Sequence, residues 1–264
     1  MLIQKIIESQ RYLSSGIDAL MKDEFRIDGN RFFIDTFAPK YLQPGQVIVD
    51  VGGGKRPFID AATKARLQLT IIGLDIDPQE LANAPVGIYD ESICADICQY
   101  RGQANADLVI CQAVLEHVKD VSLAFQGLAS VLKPGGRALI FVPSRNALYA
   151  RLSMIIPETL KSQALQILFP QRAIFHGFPS FYDRCTPRDF KALATQYGFQ
   201  VEECSYHYIS RYFSFFFPLY LLWRLWSIWF YVLAKEQAAD TFSMALRKVG
   251  KENAPCQFGM CQSF

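Results

Sequence analysis

Residues 47–51 read VIVDV, apolar at every position but Asp50, and the chain then runs straight into three consecutive glycines. A strand that is apolar on both sides has to be covered on both faces, which is the condition of a central strand in a parallel, helix-flanked sheet. The glycine run lets backbone N–H groups approach a ligand with no Cβ in the way. Strand and turn together restrict the chain to an α/β arrangement whose binding edge lies where the strand stops.

The following hundred residues keep that rhythm. AATKARLQ (61–68) reads as a helix and LTIIGLD (69–75) as a second strand ending on Asp75. A third, short strand is expected either at Ile88–Tyr89 or at Ile93–Cys94, ahead of Asp96. ADLVICQ (106–112) is a fourth strand, and VSLAFQGLASVL (121–132) has helical spacing up to the stop signal Lys133-Pro134-Gly135-Gly136. RALIFVP (137–143) is a fifth strand. Beyond it, residues 146–182 are rich in Leu, Ile and Phe, are broken at Pro157, Pro170 and Pro179, and read as an apolar lid. Thr186-Pro187 supplies an N-cap and first-turn proline for a helix ending at Gly198, and QVEECSYHY (200–208) and TFSMALRK (241–248) form a last pair of strands. The expected organisation is an N-terminal helical segment (1–45), a domain over 46–250 carrying the lid and an aromatic helical insertion (210–238), and a loose tail (251–264). The opening MLIQKIIESQRYLSSG reads as an amphipathic helix and lacks the apolar core of a signal peptide.

A glycine triplet serves equally well as a plain tight turn. The dinucleotide fingerprint G-x-G-x-x-G is only partly met, because Gly52 and Gly54 are present but position 57 is proline. The acids that follow sharpen the case. Asp75 ends the second strand where a carboxylate accepts both hydroxyls of a ribose, and Asp96 ends the third where it can accept from an adenine amine. Either acid alone would serve as a helix cap or turn residue. At successive strand ends they describe an adenosine pocket.

With these pieces in place, the sequence resembles the class I S-adenosylmethionine-dependent methyltransferases. The matching stretches are VDVGGGKRPF (49–58), GLDIDPQEL (73–81), ADI (95–97), ADLVICQAVLEHVKD (106–120) and LKPGGRALIFVP (132–143). LEHVKD and LKPGG are most similar to the small-molecule branch that includes quinone-biosynthesis methyltransferases. One departure is local: the family's D-x-G-x-G-x-G continues here as Lys55-Arg56, so the final glycine is absent and the rim is more basic. The resemblance implies a Rossmann-like, seven-stranded, mostly parallel sheet with helices on both faces and an antiparallel last strand beside the sixth. It implies S-adenosyl-L-methionine as cofactor, with Asp50, Gly52, Gly53 and Gly54 along its methionine part. Asp75 would hold the ribose, Asp96 and Ile97 the adenine, and the Cys111–Gln112 backbone the methionine amine, with Ile76 also among the cofactor-binding residues. The competing readings are a nicotinamide oxidoreductase and a membrane-docking protein that keeps a cofactor pocket without turnover.

Methyl transfer from a sulfonium needs a base only where the acceptor begins protonated. The candidates are His117 and His176, with Glu116, Tyr182 and Asp183 behind them, while His207 alternates on a strand and reads as structural. Seven scattered cysteines without a CxxC pair, and only three histidines, offer no metal-ligand spacing; no metal and reduced thiols are expected.

Between the last two strands lies YFSFFFPLYLLWRLWSIWFYVLA (212–234), in which 11 of 23 residues are aromatic. Its length suits a membrane span, but strands that pair on either side of it must leave both ends on one side of a bilayer. It can dip in as a hairpin broken at Pro218, lie in the interface, or pack on its own domain or a second subunit. Tyr220, Arg224, Ser227, Tyr231 and Lys235 fall in one narrow stripe, and all else is apolar, the pattern of a helix seated deeply in a membrane interface. The net charge of +2 is divided into a net acidic stretch before Pro143 and a net basic one after it, compatible with an anionic membrane surface near the second half. The expected partner is a hydrophobic or lipid-linked acceptor, with a homodimer also open, and the expected location is cytoplasmic, peripheral on the inner face of a membrane. No basic run interleaves with aromatics outside this apolar segment, so nucleic acid is not an expected partner.

Overall fold

A computed structural model describes residues 2–156, 178–210 and 213–250. Helix α1 (Leu2–Ala19) leads into short helical turns from Asp23 to Tyr41. The alternating part follows: β1 (Val47–Val51), α2 (Ala61–Leu67), β2 (Thr70–Asp75), α3 (Pro78–Ala82), β3 (Glu91–Cys94), β4 (Ala106–Gln112), α4 (Val121–Val131) and β5 (Leu132–Pro143). Helices α5 (Leu148–Ile155) and α6 (Pro187–Gln196), strand β6 (Phe199–His207), helix α7 (Phe217–Ala234) and strand β7 (Thr241–Lys248) complete it.

The strands form a seven-stranded sheet in the order β3-β2-β1-β4-β5-β7-β6. β1 pairs in parallel with both β2 and β4, whereas β7 runs antiparallel between β5 and β6. This is the Rossmann-like, mostly parallel arrangement that the resemblance implies. Successive residues of one strand feed two cores: Val49, Val109 and Ile140 face Phe125 and Phe190 of α4 and α6, and Ile48, Ile110 and Leu139 face Phe33, Phe37 and Ile59. The expected third strand is the later of its two alternatives, at Glu91–Cys94. β5 starts five residues before the expected Arg137, because Leu132 already pairs with Ala106 while Arg137 pairs with Leu108; residues 133–136 bulge out, with Gly135 in the left-handed region at φ 81°. The strand order reverses between β1 and β4, which opens a crevice at their carboxyl ends.

α7 turns most of its polar stripe inward. Tyr220 and Arg224 are fully buried and Ser227 nearly so, so this part of the stripe faces protein rather than water, while Lys235 at its end is exposed. Arg224 Nη1 donates to the Tyr208 carbonyl at 2.7 Å, Nη2 donates to the Phe25 carbonyl at 2.5 Å, and Nε lies 3.1 Å from Asp18 Oδ1. The Tyr220 hydroxyl donates to Asp18 Oδ2 at 2.5 Å, and the Gln10 side chain accepts from Phe217 N at 2.9 Å, so the same face holds α1. A buried guanidinium is tolerable when it is paired with a carboxylate and bonded to carbonyls in this way. The opposite arc is apolar and open: Leu222, Leu225, Trp226, Trp229, Val232 and Leu233 are 44–65 % exposed. Pro218 occupies the first turn, where its missing N–H costs nothing, and the helix runs on unbroken. By length and composition α7 could cross a membrane, yet His207 and Thr241 pair directly, so both of its ends return to the same, carboxyl edge of the sheet.

Candidate functional site

The bend after β1 is shaped by groups that leave no room for side chains. Gly52 and Gly54 have φ of 72° and 47°, a region that L-residues with a Cβ avoid. A Cβ on Gly52 would enter the side chain of Val114, and one on Gly53 would enter the Asp50 carboxylate and stand 2.7 Å from the Tyr89 hydroxyl. On Gly54 it would lie 2.9 Å from Glu80 Cβ and 3.0 Å from Asp75 Oδ2. Asp50 is the brace: its Oδ2 accepts from Phe58 N at 2.8 Å, closing the loop back onto the strand. Burial pushes the Asp50 carboxyl up to about 6, against the Phe58 N–H and Tyr89 hydroxyl that favour its ionised form.

Asp75 sits directly against this bend. Gly52 N donates to the Leu74 carbonyl at 2.7 Å, and Asp75 Oδ1 accepts from Asp77 N at 3.0 Å. Burial raises the Asp75 carboxyl above its ordinary range, with the neighbouring Glu80 and Asp77 charges adding to it. Ile76, the next residue, is 58 % exposed, an apolar side chain left open beside two acids. Ala95 N donates to the Asp75 carbonyl at 2.9 Å, which brings Asp96 to the same edge. Asp96 Oδ1 accepts from Cys98 N at 2.9 Å, so one oxygen is spent on a turn. The Ile97 side chain is buried in the core with α4, and its carbonyl lies against Gly127 of that helix.

From the other side of the crevice come the last residues of β4. Cys111 pairs in register with Val51, and its buried thiol is pushed far up by desolvation. Gln112 Nε2 donates to Asn30 Oδ1 at 2.7 Å. Ala113 turns through φ 54°, and Val114 then packs over Gly52. Glu116 and His117 follow in a short helical turn, Glu116 buried and His117 partly open. His176 lies outside the described residues, as does most of the apolar lid. Two acceptors behind these histidines have structural duties: Asp183 Oδ2 accepts from Val121 N at the start of α4, and Tyr182 is buried. His207 is buried against Phe32, with ring centroids 4.7 Å apart.

Several groups here carry no sequence signal. Lys55 Nζ bonds Glu80 Oε1 at 2.8 Å across the outer rim, and Tyr89 donates to the Gly54 carbonyl at 3.0 Å while its ring lies under Gly73. Spacing alone gives no reason to bring positions 54, 73 and 89 together. Among the described residues no group of acids, cysteines and histidines could hold a metal ion.

The residues present suit a sulfonium nucleoside: a turn that any Cβ would obstruct, carboxylates for a ribose diol and an amine, and an exposed apolar face between them. A family model for the methyltransferase domain matches residues 23–204. The chain belongs to this methyltransferase family. It is a class I S-adenosylmethionine-dependent methyltransferase, and the nicotinamide reading falls. The ubiquinone biosynthesis O-methyltransferase of Cupriavidus pinatubonensis is 27 % identical over 180 residues, covering 64 % of this chain and 68 % of that protein. The enzyme of the same name from Pectobacterium atrosepticum is 32 % identical over 110 residues, 39 % of this chain and 45 % of that protein. Among solved structures, an S-adenosylmethionine-dependent methyltransferase from Mesorhizobium loti superposes with TM-score 0.53 at 16 % identity, covering 84 % of this chain and 98 % of that one. The geranyl diphosphate C-methyltransferase of Streptomyces coelicolor gives 0.53 at 12 % identity, covering 82 % and 78 %. At such identities the structural likeness speaks for the fold alone.

Proposed function

We propose that this methyltransferase methylates a hydroxyl of a hydrophobic, membrane-held small molecule while lying peripherally on the anionic, cytoplasmic face of a membrane. The observation that carries the reading is the inverted helix α7. Tyr220 and Arg224 of its polar stripe are taken up by Asp18 and two backbone carbonyls, and roughly half of its circumference is left as an unbroken apolar arc. Trp226 and Trp229, with ring centroids 5.0 Å apart, stand on that arc, as side chains at the headgroup–acyl boundary do. The helix rises from the carboxyl edge of the sheet, the edge at which β1, β2 and β4 end beside Asp50, Asp75 and Gln112. An acceptor leaving the bilayer along α7 would arrive beside the cofactor. The names of the relatives, ubiquinone biosynthesis O-methyltransferases, support a hydroxyl on a quinone-like ring.

S-adenosylmethionine supplies a methyl group already activated on a sulfonium, so alignment is the protein's main task. In this reading Asp50 and the backbone of Gly52, Gly53 and Gly54 line the methionine portion, and Asp75 accepts from the ribose hydroxyls. Ile76 covers one face of the adenine, Asp96 and the Ile97 backbone meet its polar edge, and the Cys111–Gln112 backbone receives the amine. His117 takes the acceptor's proton, with His176 as the other candidate.

Flotation on vesicles containing an anionic phospholipid tests the membrane half. The protein should rise with the vesicles, and Leu222→Ser/Trp226→Ser/Trp229→Ser should remain at the bottom, with buried Trp223 left intact. Wild-type protein at the bottom of the gradient overturns it. So does a dimer, seen by light scattering, that the same variant dissolves. Incubation with labelled donor and a total lipid extract tests the acceptor half, which falls if label enters only water-soluble products.

A further inference from the structure

The turn after β4 holds a buried acid that cofactor binding does not use. Glu116 is 4 % exposed, and its Oε2 is enclosed with no hydrogen-bond partner among the described residues. A carboxyl placed this way normally has a reason to be there. The cation-forming group described beside it is His117, whose Nε2 lies 3.8 Å from Glu116 Oε1. The other titratable groups facing it are the thiols of Cys111 on β4 and Cys185 on the segment docked before α6. Burial pushes both thiols far above neutrality, with Asp50 behind the first and Asp183, Asp189 and Arg145 around the second.

That docked segment also orients the imidazole. His117 Nδ1 lies 3.1 Å from the Pro179 carbonyl and 3.2 Å from Ser180 Oγ. A carbonyl can only accept, so Nδ1 carries the hydrogen and Nε2 is left bare. Phe181 N and Tyr182 N both donate to the Glu116 carbonyl, at 2.8 and 3.0 Å, so one strap fixes the acid and the imidazole together. Val114 packs over Gly52 three residues before His117, which puts the pair on the cofactor edge.

We propose that His117 and Glu116 form a proton-accepting pair, His117 Nε2 as the catalytic base and Glu116 as its positioning residue. The proposal rests on the hydroxyl-acceptor reading given above. As the new oxygen–methyl bond forms and the sulfur–methyl bond breaks, its electron pair stays on sulfur and the hydroxyl proton passes to Nε2. The imidazolium so formed is stabilised by the enclosed Glu116 carboxylate and gives its proton to water once product leaves. Burial pushes the Glu116 carboxyl up to about 8, so the ionised acid that the pair needs accumulates as pH rises through that value.

The experiment compares wild-type protein with Glu116→Gln, Glu116→Asp and His117→Gln, using a lipid-soluble catechol as acceptor. His117→Gln should lose most of the 10²–10⁴-fold that a positioned base contributes. Glu116→Gln should lower kcat about tenfold or more, a fraction of that contribution, and flatten the rise of kcat near pH 8. KM and S-adenosylhomocysteine affinity should stay within twofold, and Glu116→Asp should restore part of kcat. Nitrogen-15 NMR of the cofactor-free protein should show His117 protonated on Nδ1 and bare on Nε2. A Glu116→Gln protein with wild-type kcat and an unchanged pH profile overturns the proposal, as does the reverse tautomer. Should wild-type protein methylate carbon or nitrogen acceptors and no hydroxyl, the functional reading fails instead, and the tautomer measurement still judges the pair.

Discussion

The cofactor edge and helix α7 are built on opposite terms. At the edge, polar groups are spread along the carboxyl ends of β1 and β2, are held by nearby backbone, and face an opening. On α7 the polar groups are turned inward onto α1 and the β6 end, and the apolar groups face out. The edge draws its polarity from residues close together in sequence: Asp50 is tied to Phe58, and Asp75 to Asp77. The inward polarity of α7 exists only because Arg224 finds Asp18 and Phe25 about two hundred positions away. A site made of local contacts tolerates loss at a distance, whereas a helix anchored by a few distant bonds centred on one buried guanidinium does not.

Arg224→Leu should open the widest gap between the two regions. Breaking a buried, hydrogen-bonded charge costs about 3–5 kcal/mol. The lower end is expected, since the neighbouring buried Asp240 carboxyl is already pushed up to about 7 and can take a proton. Urea unfolding should show the loss, and hydrogen exchange should show α1 and α7 opening while S-adenosylhomocysteine still binds. Equal loss of protection across β1 and β4 would break the comparison.

Next in size is Asp75→Asn. Removing a charged acceptor from a ribose diol should weaken S-adenosylhomocysteine about 10- to 100-fold by calorimetry, equivalent to roughly 1.5–3 kcal/mol, with α1 and α7 unaffected in exchange. A smaller effect follows from pH. An acid whose folded-state value is raised binds its proton more tightly when folded, so stability declines as pH rises from about 4, the unfolded value, to about 7 for Asp240, and is level above. Asp240→Asn should flatten that part of the stability–pH curve, and a slope identical to wild type would count against the burial of this carboxyl. Smallest of all, Leu222→Ser should change folding stability by less than about 0.5 kcal/mol, because its side chain is 65 % exposed. A large destabilisation would mean that the arc is covered in solution.

Three strands, VIVDV, ADLVICQ and TFSMALRK, were legible to the residue, the first two because a mostly apolar run has one stable setting, between two covered faces. The glycine bend and its following acids were legible for a related reason: φ preference and strand-end position are local properties. Register details such as the early start of β5 were less so, since Leu132 pairs only where Ala106 offers itself. Glu116 was visible as a residue but not as a buried acid, because its enclosure depends on a segment more than sixty positions downstream.

The amino-acid order alone determined the alternating sheet, the side-chain-free turn, and the stripe of five polar positions on α7, all set by short-range periodicity and backbone freedom. Tertiary structure alone decided which way that stripe turns. A stripe of Tyr, Arg and Ser fits water or protein equally by its chemistry; partners at Asp18, Phe25 and Tyr208, brought near by the closed sheet, made burial the satisfied state and left the apolar side outside.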